Sequence, residues 1–190
     1  EAGKEFLWML PCPHAQVDSA DQKRQAFAHG QVIVDDAAAL GLSTVTVATG
    51  GTLNLGGKVI TNLVTVSGGT LQISGGGSLS TSSAVVNNAN LIYGTTTASD
   101  TYGLSSSTTG TGSLTGTAQL IQLNGDITQG TVNLTSGTDS TTTYERGIEL
   151  VTDTTITAGS ITLIGDLGHR NSSTGTLALD TSATNGAINL

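Results

Sequence analysis

The sequence predicts an all-β fold: a parallel β-solenoid, most simply a right-handed β-helix, behind a short N-terminal helical or irregular cap. Three observations carry that prediction. The phrase Gly-small-aliphatic-x-aliphatic opens at Gly51, Gly69, Gly130, Gly159, Gly175 and Gly186, as in Gly51-Thr-Leu-Asn-Leu55. Its aliphatics stand two apart, so they share one face of a strand while Thr, Asn or Gln takes the other. The early phrases also return at a near-constant interval. Gly51 and Gly69 are 18 residues apart, and the VTV triplets at 45–47 and 64–66 are 19 apart. A period near 20 residues is that of a solenoid in which each repeat forms one coil. Finally, aromatics make up only 3% of the chain and charged residues 11%, so the core must come from Val, Ile, Leu and Ala. Such residues suit thin, pleated layers.

Residues 1–30 read as the cap and residues 31–190 as the solenoid. The first segment holds both prolines and the large apolar residues Phe6, Trp8 and Phe27. Ser19 and Gln22 make a capping-box pattern, so SADQKRQAFAHG predicts a short helix ended by Gly30. The run FLWML at 6–10 is far too short to span a bilayer. Around Phe6, Trp8 and Leu10 it is suited to cover the first coil, whose bare edge would otherwise invite pairing. LPC at 10–12 resembles a lipoprotein cleavage site, but the proline directly before the cysteine does not fit one. Cys12 is the lone cysteine, which excludes an intrachain disulfide and leaves a buried thiol or an intermolecular bridge.

From Gln31 onward the pattern has period two, as in STVTV at 43–47 and LVTV at 63–66. ANLI at 89–92 continues the series. Later intervals are uneven, and TSGTDSTTTYERG at 135–147 and GDLGHRNSSTG at 165–175 predict loops that bulge from coil corners. The expected register is explicit. Leu53, Leu55, Leu71, Ile73, Val132, Leu134, Ile161, Leu163, Leu177 and Leu179 point inward. Thr52, Asn54, Thr70, Gln72, Asn133 and Thr162 point outward. The glycines are expected to supply φ > 0 at the corners, and the narrow interior to leave no room for aromatics. A β-sandwich is the rival, since it too uses short alternating strands, but it draws on buried aromatics and larger core residues. The chain begins at Glu1 and stops inside its own phrase at GAINL, so both ends read as cuts in a longer protein.

The formal charge of −8 includes only six fixed cations. No basic patch can be assembled from them, which argues against nucleic acid and anionic membranes as partners. The acids Asp35, Asp36, Asp100, Asp126, Asp139, Glu145, Glu149, Asp153, Asp166 and Asp180 are scattered. Asp35 and Asp36 are adjacent in a presumptive strand, so they face opposite ways and form no dyad. Glu145, Arg146 and Glu149 fall in or beside the first inserted loop and read as a solvated ion pair. His14, His29 and His169 have no zinc spacing, and His14 with Cys12 gives two ligands only. Asn124-Gly125-Asp126 and Gly165-Asp166 read as turns rather than calcium loops. GGG at 75–77 lacks the lysine of a phosphate loop. Accordingly no catalytic, cofactor-binding or metal residue is assigned, and no cofactor is expected.

GGTLNLGG at 50–57, VTVSGGTLQISGGGSLST at 64–81 and TDTTITAGSITLIGDLG at 152–168 carry a family resemblance. With STGTLALDTSATNGAINL at 173–190, they resemble the β-strand repeats of very large bacterial surface exoproteins, the filamentous-haemagglutinin-like and autotransporter-passenger proteins. The resemblance covers about residues 43–190. It implies secretion, a long β-helix and a role in adhesion, biofilm or a surface layer. The Asn-Pro-Asn-Gly signature of the two-partner secretion members is absent.

The function expected is therefore that of a secreted structural or adhesive segment of a bacterial cell-surface fibre or layer, not of an enzyme. Its partners would be further repeats or copies of itself, head to tail, and glycans or other surfaces, with no membrane insertion. A ligand-binding solenoid for glycan or ice is the alternative. Thr44-Val45-Thr46 fits an ice-binding rank, but Leu63-Val64-Thr65 breaks it. A polysaccharide-active enzyme ranks below both, because it needs clustered carboxylates.

Overall fold

A computed structural model describes residues 14–16, 25–27, 30–36, 40, 44–75, 77–79, 84–94, 101–104, 107–137, 147–168 and 174–190. Among them the chain is nearly all parallel β with no α-helix, a β-solenoid of about six turns. Three faces repeat up the stack. The first carries Gln25–Phe27, Val45–Val47, Val64–Val66, Val85–Asn87 and Thr108–Thr109. It continues through the opening halves of Ile127–Ser136 and Thr154–Ile164 to Leu177–Asp180. The second face carries His14–Gln16, Gly30–Ile33, Gly51–Asn54, Thr70–Ile73, Asn90–Tyr93 and Ser113–Ala118. The closing halves of the same two long strands follow, then Ile188–Asn189. The third face has Val59–Ile60 with Ser78–Leu79, and above them Thr101–Leu104, Leu120–Leu123, Gly147–Leu150 and Leu167–Gly168. Every pairing among these strands is parallel, which a sandwich of antiparallel sheets does not show.

The alternation dictates the core. Val45, Val64, Val85, Thr108, Ile127, Ile156 and Leu179 stack in one inward column. Leu53, Leu71, Leu91, Leu114, Val132 and Ile161 stack in another. Leu53, Leu55, Leu71, Ile73, Val132, Leu134, Ile161 and Leu163 are all buried, as the period-two pattern predicts. Each contributes on the order of 1.5–3 kcal/mol by leaving water. Leu177 and Leu179 also pack against the core but are only partly buried. Their phrase lies elsewhere than its siblings: Leu177 aligns with Thr154 and Leu179 with Ile156, on the first face rather than the second.

The phrase glycines serve a different purpose from the one their sequence predicts. None of Gly51, Gly69, Gly130 and Gly159 has positive φ. They form instead a vertical column at the corner between first and second faces, running through Gly30, Gly51, Gly69, Ala89, Gly112, Gly130 and Gly159. A Cβ on Gly159 would lie 2.7 Å from the carbonyl oxygen of Gly130, and one on Gly69 would strike Gly51 and Ala48. Apart from Gly30, whose φ is 87°, close approach of coil to coil selects glycine there, while the expected positive φ falls to other glycines such as Gly50, Gly56 and Gly57.

Two further expectations are corrected. Tyr93 and Tyr102 are buried to 1% exposure inside the solenoid, their rings edge to face at 6.3 Å and 73°. The interior admits them because glycines make room. Gly116 occupies the rung beside Tyr93, and a Cβ on Gly94 would lie 2.7 Å from Cε2 of Tyr102. Of the helix expected over SADQKRQAFAHG, residues 19–24, 28 and 29 lie outside the described residues, and Gln25–Phe27 is a strand paired with Val45–Val47. An isolated helix of three turns is marginal in water, whereas a parallel neighbour offers backbone partners at once. His14–Gln16 likewise joins the second face beside Gly30–Ile33, so the ladder reaches into the segment read as a cap. Phe6, Trp8, Leu10 and Cys12 lie outside the described residues, as do 138–146 and 169–173 within the two inserted loops.

Candidate functional site

Among the described residues the surface carries flat outer ladders, three acids bonded to backbone N–H groups, and one buried carboxylate, Glu149. On the first face the outward column runs Thr46, Thr65, Val86, Thr109, Thr128, Thr157 and Asp180. Beside it, Leu63 aligns with Thr44 and is 44% exposed, and Ala84 follows at the next rung, so paired threonine ranks survive only at the bottom and at Thr155–Thr157. On the second face Thr52, Thr70, Asn90, Ser113, Thr131 and Ser160 make one outward column of hydroxyls and amides.

Three acids accept well-placed hydrogen bonds, two of them from a neighbouring coil and one within a turn. Asp126 Oδ1 accepts from the backbone N of Thr155 at 2.8 Å. Asp153 Oδ1 accepts from both N and Oγ1 of Thr176, each at 2.8 Å, which holds its carboxyl below the usual range. Ser182 does the same for Asp180, whose side-chain oxygen takes the Ser182 backbone N at 2.8 Å. Such bonds favour the ionised carboxylate because its lone pairs are the acceptors.

Glu149 is different: it lies beside the inserted loop, as expected, but its burial corrects the solvated reading. It lies in strand Gly147–Leu150, between inward-facing Ile148 and Leu150, with only 8% exposure. Gln122 Nε2 donates to its Oε2 at 2.8 Å from the rung below. Glu145 and Arg146 lie outside the described residues. The signal that places Glu149 is in the sequence: Ile148-Glu-Leu150 matches Ile121-Gln-Leu123, each an aliphatic pair about an outward polar residue. On the next rung Asp166 follows beside Gly147, where a Cβ would lie 2.6 Å from the Asp166 carbonyl oxygen.

Leu177–Asp180 and Ile188–Asn189 pair with Thr154–Ile164 alone among the described strands. Ile188 is 43% exposed and Leu190 82%.

Among the described residues no group of three or more His, Cys, Asp or Glu could hold a metal ion. No helix there is long and apolar enough to cross a membrane. Lys58 is the one Lys or Arg among the described residues. His29 and His169 fall outside them, and His14 stands in the strand His14–Gln16. No family model, curated protein or solved structure matches the chain.

Proposed function

We propose that this chain is a structural and adhesive β-solenoid segment of a secreted bacterial surface fibre or layer, without enzymatic activity. One observation carries the reading. The inward columns and parallel ladders keep one register through the described coils, from Val45 to Leu179 and from Leu53 to Ile188. A strand edge in such a ladder is a template for another strand. A following coil, or a second copy docked head to tail, covers it in the same register, and a contact that does not close on itself builds filaments. The acidic balance, the hydroxyl-rich outer ladders and the resemblance to surface exoproteins fit an extracellular setting.

The test is sedimentation velocity of the purified chain over a wide concentration range, with electron microscopy of any assemblies. The expected result is association that rises with concentration and yields linear particles. A chain that remains monomeric at the highest concentration overturns the fibre reading.

A further inference from the structure

We propose that the second face is a lateral docking surface for a second copy of this chain, the two stacks lying parallel with their rungs in register. The contact runs along the stack, so it is independent of the head-to-tail reading.

Every rung of this face from Gly30–Ile33 to the closing half of Thr154–Ile164 lies among the described residues. Its central outward column holds Ile33, Asn54, Gln72, Ile92, Thr115, Asn133 and Thr162. Asn133 is exposed and the other six are half-buried, so the column faces solvent. None of these strands contributes an Asp, Glu, Lys or Arg to the face, although the chain has a net charge of −8. Asp35 and Asp36 lie beyond the first rung, where the chain bends after Val34. The other two faces differ. Asp180 stands in the outward column of the first, with Asp126 and Asp153 just before its strands. Glu149 stands in that of the third.

The make-up of the column selects the partner. A two-fold axis along the stack brings each residue of the column against its own copy. Isoleucine packs on isoleucine. Threonine hydroxyls and the carboxamides of Asn and Gln both donate and accept, so each can bond its twin. Charged groups cannot, because like charges in contact repel. All seven residues of the column are of the self-pairing kinds. The same axis along the first or third face would set Asp180 or Glu149 towards its twin.

The repeat supplies a second match. Strands are about 4.8 Å apart in both copies, so aligning one rung aligns them all. Seven rungs, each about five residues wide, measure about 29 Å by about 17 Å, or about 500 Å² per copy. A pair then buries about 1,000 Å², the lower bound for a specific contact.

The experiment is cross-linking of the full chain by a short bismaleimide, with Cys12→Ser combined with Ile92→Cys. The result expected is a covalent dimer, whereas Thr46→Cys, outward on the first face, gives only the background of random collision. Adding Asn133→Asp or Asn133→Lys to the Ile92→Cys chain should lower the yield at least about tenfold at low salt. Mixing the Asp and Lys chains should restore it, since opposite charges then meet across the axis. Asn133 is exposed, so both variants should keep the wild-type melting temperature. A yield at Ile92→Cys no greater than at Thr46→Cys overturns the proposal. So does a yield that neither charge lowers, or one that mixing fails to restore. A chain that does not cross-link but is retained on insoluble cellulose or chitin overturns it in favour of a neutral polysaccharide surface. Growth of linear particles, read by sedimentation and microscopy, should persist in Asn133→Asp. Its failure in the wild type would leave the cross-link at Ile92→Cys in place.

Discussion

Asn87 Nδ2 donates to Gln129 Oε1 at 2.8 Å inside the solenoid, across an intervening coil that contributes only Gly110 to the column. The same amide also donates to the carbonyl of Ser113 at 2.9 Å, and Asn87 Oδ1 accepts from the Ala89 backbone N at 3.2 Å. Asn87 is wholly buried, and Gln129 is 4% exposed with its Nε2 unpartnered. Aliphatic columns are nearly interchangeable from coil to coil, so a slip by one rung would still bury them. A buried amide has partners in one register only. The pair therefore specifies alignment where apolar stacking alone does not.

That relationship sets the first prediction. Asn87→Leu alone should destabilise the fold by roughly 1–3 kcal/mol, because it strands the Gln129 carbonyl and the Ala89 and Ser113 backbone groups. Adding Gln129→Leu should recover part of the loss, giving a non-zero coupling in a double-mutant cycle followed by urea denaturation. Additive effects would show that the two amides act separately.

The glycine column gives a second. Gly159→Ala places a methyl 2.7 Å from the Gly130 carbonyl oxygen and forces adjacent coils apart. Overpacking of this kind costs about 1–3 kcal/mol. Gly125→Ala meets nothing within 4 Å, and Gly125 has ordinary φ. It should be neutral or stabilise by about 0.4–1 kcal/mol through the unfolded chain. Thermal melts of the two variants should move in opposite directions, or the second not at all.

Tyr93 carries a third, in two measurements. Its hydroxyl is buried without a hydrogen-bond partner, and burial pushes its pKa well above the ordinary 10.0. Tyr93→Phe removes that orphan and should be neutral or stabilise by about 1 kcal/mol at neutral pH. The raised folded value means the unfolded chain releases the phenolic proton first. This contribution to stability is therefore intact below pH 10 and falls as pH rises beyond it. Alkaline unfolding of Tyr93→Phe should set in at higher pH than that of the wild type. At the acid end the sign reverses. The depressed carboxyls of Asp153 and Asp180 contribute above their unfolded values and lose that contribution as pH falls through their folded ones. Asp153→Asn should flatten the acid limb of the profile.

These sites differ in how far the sequence announces them. The inward set from Leu53 to Leu163 was legible because alternation is local and the strand period is fixed. The chain also shows Gly175-Thr-Leu-Ala-Leu179 as one more phrase, yet that strand stacks on Ile156 in the first face. A glycine before an alternating pair marks a tight corner, but not which corner, and the insertion before it removes the count. The Asn87–Gln129 bridge joins residues 42 apart and lies in two strands with no common motif. Only the stacked register brings them together. The burial of Glu149 was within reach, since Ile-Glu-Leu repeats Ile-Gln-Leu, but the adjoining insertion made it read as solvated. The buried tyrosines were hidden for a related reason: Gly116, which makes room beside Tyr93, belongs to the next coil.

The last prediction concerns the open coil. Leu71 is fully buried between two coils, and Leu71→Ala should cost about 2–5 kcal/mol. Leu179 occupies an equivalent inward position with a coil on one side only, so Leu179→Ala should cost distinctly less in the monomer. If a neighbouring coil completes that column in the assembly, the order changes with concentration. Leu179→Ala should then weaken association more than it weakens the isolated fold. Ile188→Lys, at a residue already 43% exposed, should leave the melting temperature of dilute protein nearly unchanged while suppressing assembly. A lysine on a free strand edge blocks pairing through its charge and its hydration. Dilute melts combined with concentrated light scattering separate the two effects. Assembly that persists undiminished in Ile188→Lys and Leu179→Ala would place the contact somewhere other than this coil.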